Sequence, residues 1–68
     1  MKLRKTVQCG HYTAKVYADS DWNEYRVKYF KDGKHLGEQC DSFADSEEEA
    51  INTAEAELQF MNKEIANA

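Results

Sequence analysis

The stretch from Ser46 to about Ile65 has the hydrophobic spacing of an amphipathic helix. Its apolar residues recur every three or four positions, at Ile51, Ala54, Leu58, Met61 and Ile65. At about 100° per residue they share one stripe of a helix. Ser46 followed by Glu49 is a capping box, and the acidic residues of the first turn suit the positive end of the helix dipole. The stretch therefore predicts one helix that begins after Ser46 and buries a single side.

The chain before this helix alternates between apolar and polar residues, as half-buried strands do. Gly10-His11 suits a two-residue turn, and Asp32-Gly33 favours a type I′ turn because both residues tolerate positive φ. Sixty-eight residues are enough for one domain, residues 1–68, with one small core. We therefore predict an α+β fold, a four-stranded antiparallel meander with the helix packed on one face (ββββα).

Counting outward from the two turns gives the register of each hairpin. In the first hairpin the predicted partners are Cys9 with Tyr12, Val7 with Ala14, Lys5 with Val16 and Leu3 with Ala18. In the second they are Tyr29 with Leu36, Val27 with Glu38 and Tyr25 with Cys40. Glu38 then falls on the apolar side, so either a bulge near Gly37 redirects it or it lies at the sheet edge.

Cysteine placement and the N-terminus bear on the cellular compartment. The predicted meander places Cys9 and Cys40 toward opposite ends of the sheet, too far apart for a disulfide, and predicts two reduced thiols. The first five residues lack the apolar run of a signal peptide, and no stretch is long enough to span a bilayer. These features predict a cytoplasmic protein.

Acidic residues collect where the predicted loop from Asp19 to Glu24 meets the start of the helix. We call this region the acidic end; it contains Asp19, Asp21, Glu24, Asp41, Asp45, Glu47, Glu48 and Glu49. Trp22 lies in the same loop, and a loop tryptophan with polar neighbours is a common anchor in protein interfaces. The alternative is ordinary loop and helix-start chemistry, with the indole folded back over the core.

The face of the sheet that points away from the helix, here called the outer face, has the opposite charge. Its predicted members are the basic residues Lys2, Arg4, Lys15, Arg26 and Lys28, with Tyr17 and Phe30 among them. The alternative is an ordinary solvated face, on which Lys and Arg are normal. Phe60 lies at the border of the apolar stripe and either closes the flank of the core or is exposed.

No pattern in the chain indicates catalysis, a metal site or a cofactor. His11 and His35 stand in or beside turns without ligands at metal-binding spacing. No serine elbow, cysteine–histidine pair or glycine-rich phosphate loop occurs, and the carboxylates do not converge in a cleft. We therefore expect a protein that is not an enzyme and has no cofactor.

The chain from Tyr25 onward resembles the second half of a double-stranded-RNA-binding domain. The similar segments are Tyr25–Phe30, the turn region Asp32–Glu38, a third strand, and a helix with Ala50, Ala54 and Leu58 inward. That family has a Lys-Lys-x-Ala-Lys cluster at the start of this helix to hold phosphates. Here Glu47, Glu48 and Glu49 stand in that region, and a strand replaces the family's first helix. The resemblance implies a βββα core and no RNA binding through the helix.

A broader resemblance is to a class of small acidic phage proteins, the anti-CRISPR proteins that disable type I interference complexes. It implies a non-enzymatic phage or prophage inhibitor that blocks the nucleic-acid-binding surface of Cas proteins in the bacterial cytoplasm. The partner-binding residues would be Asp19, Asp21, Trp22, Glu24, Glu47 and Glu48, acting as a nucleic-acid mimic. The alternative is a small nucleic-acid-binding module that uses Arg4, Lys15, Tyr17, Arg26, Lys28 and Phe30. A third possibility is a weak homo-oligomer that buries Tyr17 and Phe30.

Overall fold

The computed structural model describes residues 2–21 and 23–66, with side chains along the helix as far as Lys63. Within these residues, five antiparallel strands and one α-helix follow one another. They are β1 (Lys2–Cys9), β2 (Tyr12–Asp19), β3 (Glu24–Lys31), β4 (Lys34–His35), β5 (Ser42–Ala44) and α1 (Glu47–Ala66). The sheet order is β1-β2-β3-β4, and β5 also pairs with β3. The predicted α+β meander with one C-terminal helix is confirmed, with the fourth strand divided in two.

Two glycine-containing turns lie together at one end of the sheet. Asp32 has φ 51° and Gly33 has φ 88°, as the predicted type I′ turn requires. Gly10 has φ 61°, and a Cβ there would overlap with the Asn62 side chain at the far end of α1. The Asp32 amide donates to the His11 carbonyl at 2.9 Å, and His11 Nδ1 donates to Asp32 Oδ1 at 3.1 Å. These contacts join the two hairpins at their turns.

A bulge interrupts the first hairpin near its open end. Cys9, Val7 and Lys5 have the predicted partners on β2, but the register shifts between Leu3 and Lys5. Leu3 then pairs with Tyr17 and Lys2 with Ala18, so the prediction that Leu3 pairs with Ala18 is wrong. Because Arg4 is an extra residue on β1, the side chains before it change faces. Leu3 lies on the outer face, and Lys2 lies on the same side as Ala18, the helix side.

The second hairpin departs from regular pairing after Leu36. The Leu36 amide donates to the Tyr29 carbonyl at 2.9 Å, as the predicted register requires. The chain then leaves the sheet at Gly37, which has φ 113°, makes a single 3₁₀ turn over Glu38–Cys40, and returns as β5.

This detour changes the partners of the start of β3. Val27 pairs with Ser42, and Tyr25 pairs with Ala44, so the predicted partners Glu38 and Cys40 are wrong. Of the two alternatives for Glu38, the chain is redirected at Gly37, but by a 3₁₀ turn that leaves the sheet rather than by a bulge within it. The detour keeps Glu38 in solvent and places Ala44, which is 7% exposed, against the core. Avoiding the burial of a carboxylate is the physical reason for the difference.

The helix covers the inner face of the sheet with small and branched side chains. The fully buried residues of α1 are Ala50, Ala54 and Leu58, and Ile51 and Met61 flank them half-buried. The stripe is therefore centred slightly to one side of the predicted one, whose Ile65 side chain lies outside the described residues. Phe60 is 59% exposed, so it does not close the core.

The opposing side of the core comes from the sheet. Its buried members are Tyr12, Ala14, Val16, Val27, Tyr29 and Ala44. The alanines on both layers allow close approach of helix and sheet, while Tyr29 and Leu58 are the largest fully buried side chains. Ser46 Oγ accepts a hydrogen bond from the Glu49 amide at 3.2 Å, which confirms the predicted start of the helix.

Candidate functional site

The outer face is formed by alternate residues of the strands, and no helix among residues 2–21 and 23–66 packs against it. Pairs across β2 and β3 are Thr13 with Phe30, Lys15 with Lys28, and Tyr17 with Arg26. β4 extends the first pair with His35, and β5 extends the third with Phe43. The outer face therefore consists of rows across the sheet: a Phe30–His35 row, a Lys15–Lys28 row, and a row of Tyr17, Arg26 and Phe43.

Each of the three cations in these rows lies close to an aromatic ring. Lys15 Nζ is 5.0 Å from the centroid of Phe30, and Lys28 Nζ is 5.5 Å from that of Tyr17. The Arg26 guanidinium carbon is 4.9 Å from the centroid of Phe43. These distances lie within the range of attractive cation–π contacts. Because neighbouring positions carry the two kinds of side chain, the outer face presents positive charge and ring surface side by side.

Five of the seven residues predicted from the sequence for this face lie on it, and Lys2 and Arg4 do not. Arg4 Nε donates to Glu47 Oε1 at 2.7 Å, which ties β1 to the start of α1. This hydrogen bond and the charge of Glu47 raise the pKa of Arg4 above its ordinary value. The bulge in β1 is the reason for the difference, because it turns Arg4 away from the outer face.

Sequence reasoning missed three members of the outer face: Leu3, His35 and Phe43. Leu3 is 48% exposed and Phe43 is 55% exposed. The Phe30 and His35 rings are 5.3 Å apart and tilted by 41°. The exposed position of Phe43 could be predicted locally, because Ser42 and Ala44 on either side of it would face inward in a strand. The position of Leu3 could not be predicted locally, because its orientation depends on the bulge.

The acidic end brings together residues from three segments of the chain. Asp19 and Glu24 pair directly across β2 and β3, and the Asp21 amide donates to Asp19 Oδ1 at 3.1 Å. Glu48 is exposed on the first turn of α1 at the same end, whereas Glu47 is paired with Arg4. Trp22 lies outside the described residues. A shallow depression of about 220 Å³ lies here, lined by Ala18, Asp19, Ser20, Asn23, Glu24 and Tyr25.

Polar contacts also anchor the segment between β4 and β5. His35 Nε2 donates to Asp41 Oδ1 at 3.1 Å, and the Asp41 side chain is only 2% exposed. The Tyr29 hydroxyl lies 3.1 Å from Ser42 Oγ, and burial raises the pKa of Tyr29. These bonds hold the detour against the sheet and so fix the position of Phe43 beside Arg26.

The described residues contain no group of three or more His, Cys, Asp or Glu side chains placed to hold a metal ion. Nor does any described helix combine the length and apolar character needed to cross a membrane. On the outer face, the cations can attract negative charges and the rings can stack on flat groups.

No protein-family model matches the chain, and no curated protein or solved structure matches it significantly.

Proposed function

We propose that this protein is a non-enzymatic nucleic-acid-binding module that acts through the outer face of its sheet. The observation that supports the proposal is the pairing of Lys15, Lys28 and Arg26 with aromatic rings on a face without a covering helix. Phosphates attract the cations and bases stack on the rings, so a nucleic acid engages both kinds of side chain at once.

The uneven distribution of charge favours binding of the nucleic acid to the outer face rather than to the helix. The net charge of the chain is −4, which by itself disfavours binding to an anionic polymer. However, α1 holds six acidic residues and a single basic one, Lys63, on the opposite side of the sheet. A field divided in this way repels the ligand from the helix and steers it to the outer face.

Fluorescence anisotropy with a labelled single-stranded oligonucleotide tests the proposal. Arg26→Glu is expected to weaken binding about tenfold, because it replaces an attraction with a repulsion. Lys63→Glu is the matched control, since it changes the net charge equally but lies in the last turn of α1. With three cations on phosphates, log K should fall against log salt with a slope of about −2, given roughly −0.7 per contact on a single strand.

A second pair of variants separates stacking from charge. Phe43→Ala is expected to weaken binding about fivefold or more, the usual range for the loss of a base-stacking ring. Phe60→Ala is its control, because Phe60 is similarly exposed but lies on α1. Equal effects of Arg26→Glu and Lys63→Glu, together with equal effects of the two phenylalanine variants, would contradict the proposal.

A second candidate function uses the acidic end: a phage or prophage protein in the cytoplasm of a bacterial host that inhibits a nucleic-acid-handling complex. A type I interference complex is the leading target of this kind, with Cas proteins as partners. Asp19 and Glu24 favour this candidate, because like charges placed opposite each other in a sheet are destabilising. This pair lowers the stability of the fold and lies at the acidic end together with Asp21 and Glu48. Such a group of carboxylates is consistent with a surface that mimics phosphates.

Affinity capture from a nuclease-treated bacterial lysate tests this second candidate. The wild-type protein is expected to retain a nucleic-acid-handling complex, and the Asp19→Lys, Asp21→Lys variant to lose it. Glu55→Lys, Glu57→Lys is the control with the same charge change on α1. Retention of the same complex by all three proteins would contradict a contact at the acidic end.

A further inference from the structure

We infer that the outer face selects single-stranded nucleic acid over a duplex, and that the Asp19–Glu24 pair limits its footprint to a few nucleotides. This inference rests on the proposed nucleic-acid-binding function and specifies its ligand. The inference is based on the rings and cations of the three rows of the outer face and on the two carboxylates that lie one row beyond Tyr17 and Arg26.

The two aromatic rows of the outer face are far apart compared with stacked bases. Phe30 and Arg26 are four residues apart on β3 and mark the two rows. At a rise of about 3.3 Å per residue, the rows are separated by roughly 13 Å along the strands. Lys15 and Lys28 occupy the row between them. A ligand that runs along the strands therefore meets the Phe30 and His35 rings, then two lysines, then the Tyr17 and Phe43 rings on either side of Arg26.

Stacking on these rings excludes the paired bases of a duplex and suits an extended single strand. In a duplex, neighbouring bases repeat every ~3.4 Å along each strand and their flat surfaces are covered by one another. In a single strand the bases are free to unstack and turn onto protein rings while the phosphates between them face cations. The Phe30 row and the Phe43 row can thus each take one base, with the linking phosphates over Lys15 and Lys28.

The carboxylates of Asp19 and Glu24 end the binding surface on one side. They pair across β2 and β3 one row beyond Tyr17 and Arg26, on the same face of the sheet. A phosphate that reached this row would meet two negative charges, so the strand has no favourable path past it. Two stacking rows and three cations accommodate about four nucleotides, the low end of the ~4–16 known for single-strand-binding folds.

Titration of the full chain with labelled DNA of increasing length tests the footprint. The probes are single strands of two, four, six and ten nucleotides, and the ten-nucleotide strand annealed to its complement. Affinity is expected to rise up to about four nucleotides and then level off, with the duplex bound at least about tenfold more weakly. Equal or tighter binding of the duplex, or a steady rise in affinity to ten nucleotides, would overturn the inference.

Failure of the inference is distinguishable from failure of the proposed function. If neither the single strands nor the duplex bind, the nucleic-acid-binding proposal itself is wrong. A mass that increases with protein concentration and returns to the monomer in Phe43→Ala would place a second copy of the chain on the outer face and overturn both.

The boundary set by the carboxylates has a test of its own. Asp19→Asn, Glu24→Gln is expected to bind the ten-nucleotide strand about two- to fivefold more tightly, in line with exposed charge interactions. Glu55→Gln, Glu57→Gln is the matched control and changes the net charge equally on α1. The same gain in both variants, or no gain in either, would overturn the role of Asp19 and Glu24 as the limit of the footprint.

Discussion

Arg4 illustrates how one inserted residue redistributes side chains between the faces of a sheet. A period of two makes every residue before an insertion change sides. Arg4 therefore reaches Glu47 of α1 instead of the outer face, and Leu3 takes a place beside Tyr17. The sequence carries no glycine at this point to mark a bulge, so the alternation of β1 predicts a regular strand.

Tyr29 makes the stability of the fold sensitive to alkaline pH. Burial raises the pKa of Tyr29 above its ordinary value, with its hydroxyl 3.1 Å from Ser42 Oγ. The unfolded chain therefore releases this proton at a lower pH than the native state does. The contribution of protonated Tyr29 to the free energy of unfolding is fully present below about pH 10 and is lost as the pH rises above that value.

We expect Tyr29→Phe to remove this part of the alkaline loss in the free energy of unfolding. At neutral pH the variant should lose about 1 kcal/mol with the Ser42 hydrogen bond. Urea unfolding at neutral and alkaline pH measures both effects, with Tyr17→Phe on the outer face as the control. A steeper alkaline decline in Tyr29→Phe than in the wild type would contradict this account.

The helix and the hairpin turns are the elements that sequence reasoning predicts best, because their signals are local. The spacing of Ala54 and Leu58, the cap at Ser46 and the Asp32-Gly33 turn each depend on a few neighbouring residues. The detour between β4 and β5 has no local signal of this kind. It depends on which of Glu38, Cys40 and Ala44 packs against the core. That choice is made by tertiary packing and has no short-range signature.

The cap at Ser46 provides a test at the level of the helix. Ser46→Ala is expected to lower the free energy of unfolding by about 1 kcal/mol, because the Glu49 amide loses its partner. In a domain of this size, that loss lowers Tm by about 4–8 °C. Ser46→Asp keeps an acceptor at the same position and should stay close to the wild type. Thermal unfolding followed by circular dichroism measures both, and equal losses in the two variants would contradict the cap.

At the scale of the whole molecule, three cations of the outer face lie on the opposite side of the sheet from a helix with six acidic residues and one lysine. Lys15, Arg26 and Lys28 lie on the outer face together with Tyr17 and Phe30, as the alternation of β2 and β3 predicts. Their proximity in pairs was not predictable, because cation–ring distances depend on rotamers across strands. Asp19 and Glu24 meet at the acidic end as the topology predicts, whereas Asp41 is buried against His35 and Glu47 is paired with Arg4 because of the bulge.

The most direct test of the account is an amide chemical-shift map of the protein titrated with a short single-stranded oligonucleotide. The account predicts that the perturbed amides cluster on the outer face. They would be those of Lys15, Tyr17, Arg26, Lys28, Phe30 and Phe43. Perturbations confined to the acidic end or to the exposed side of α1 would contradict it.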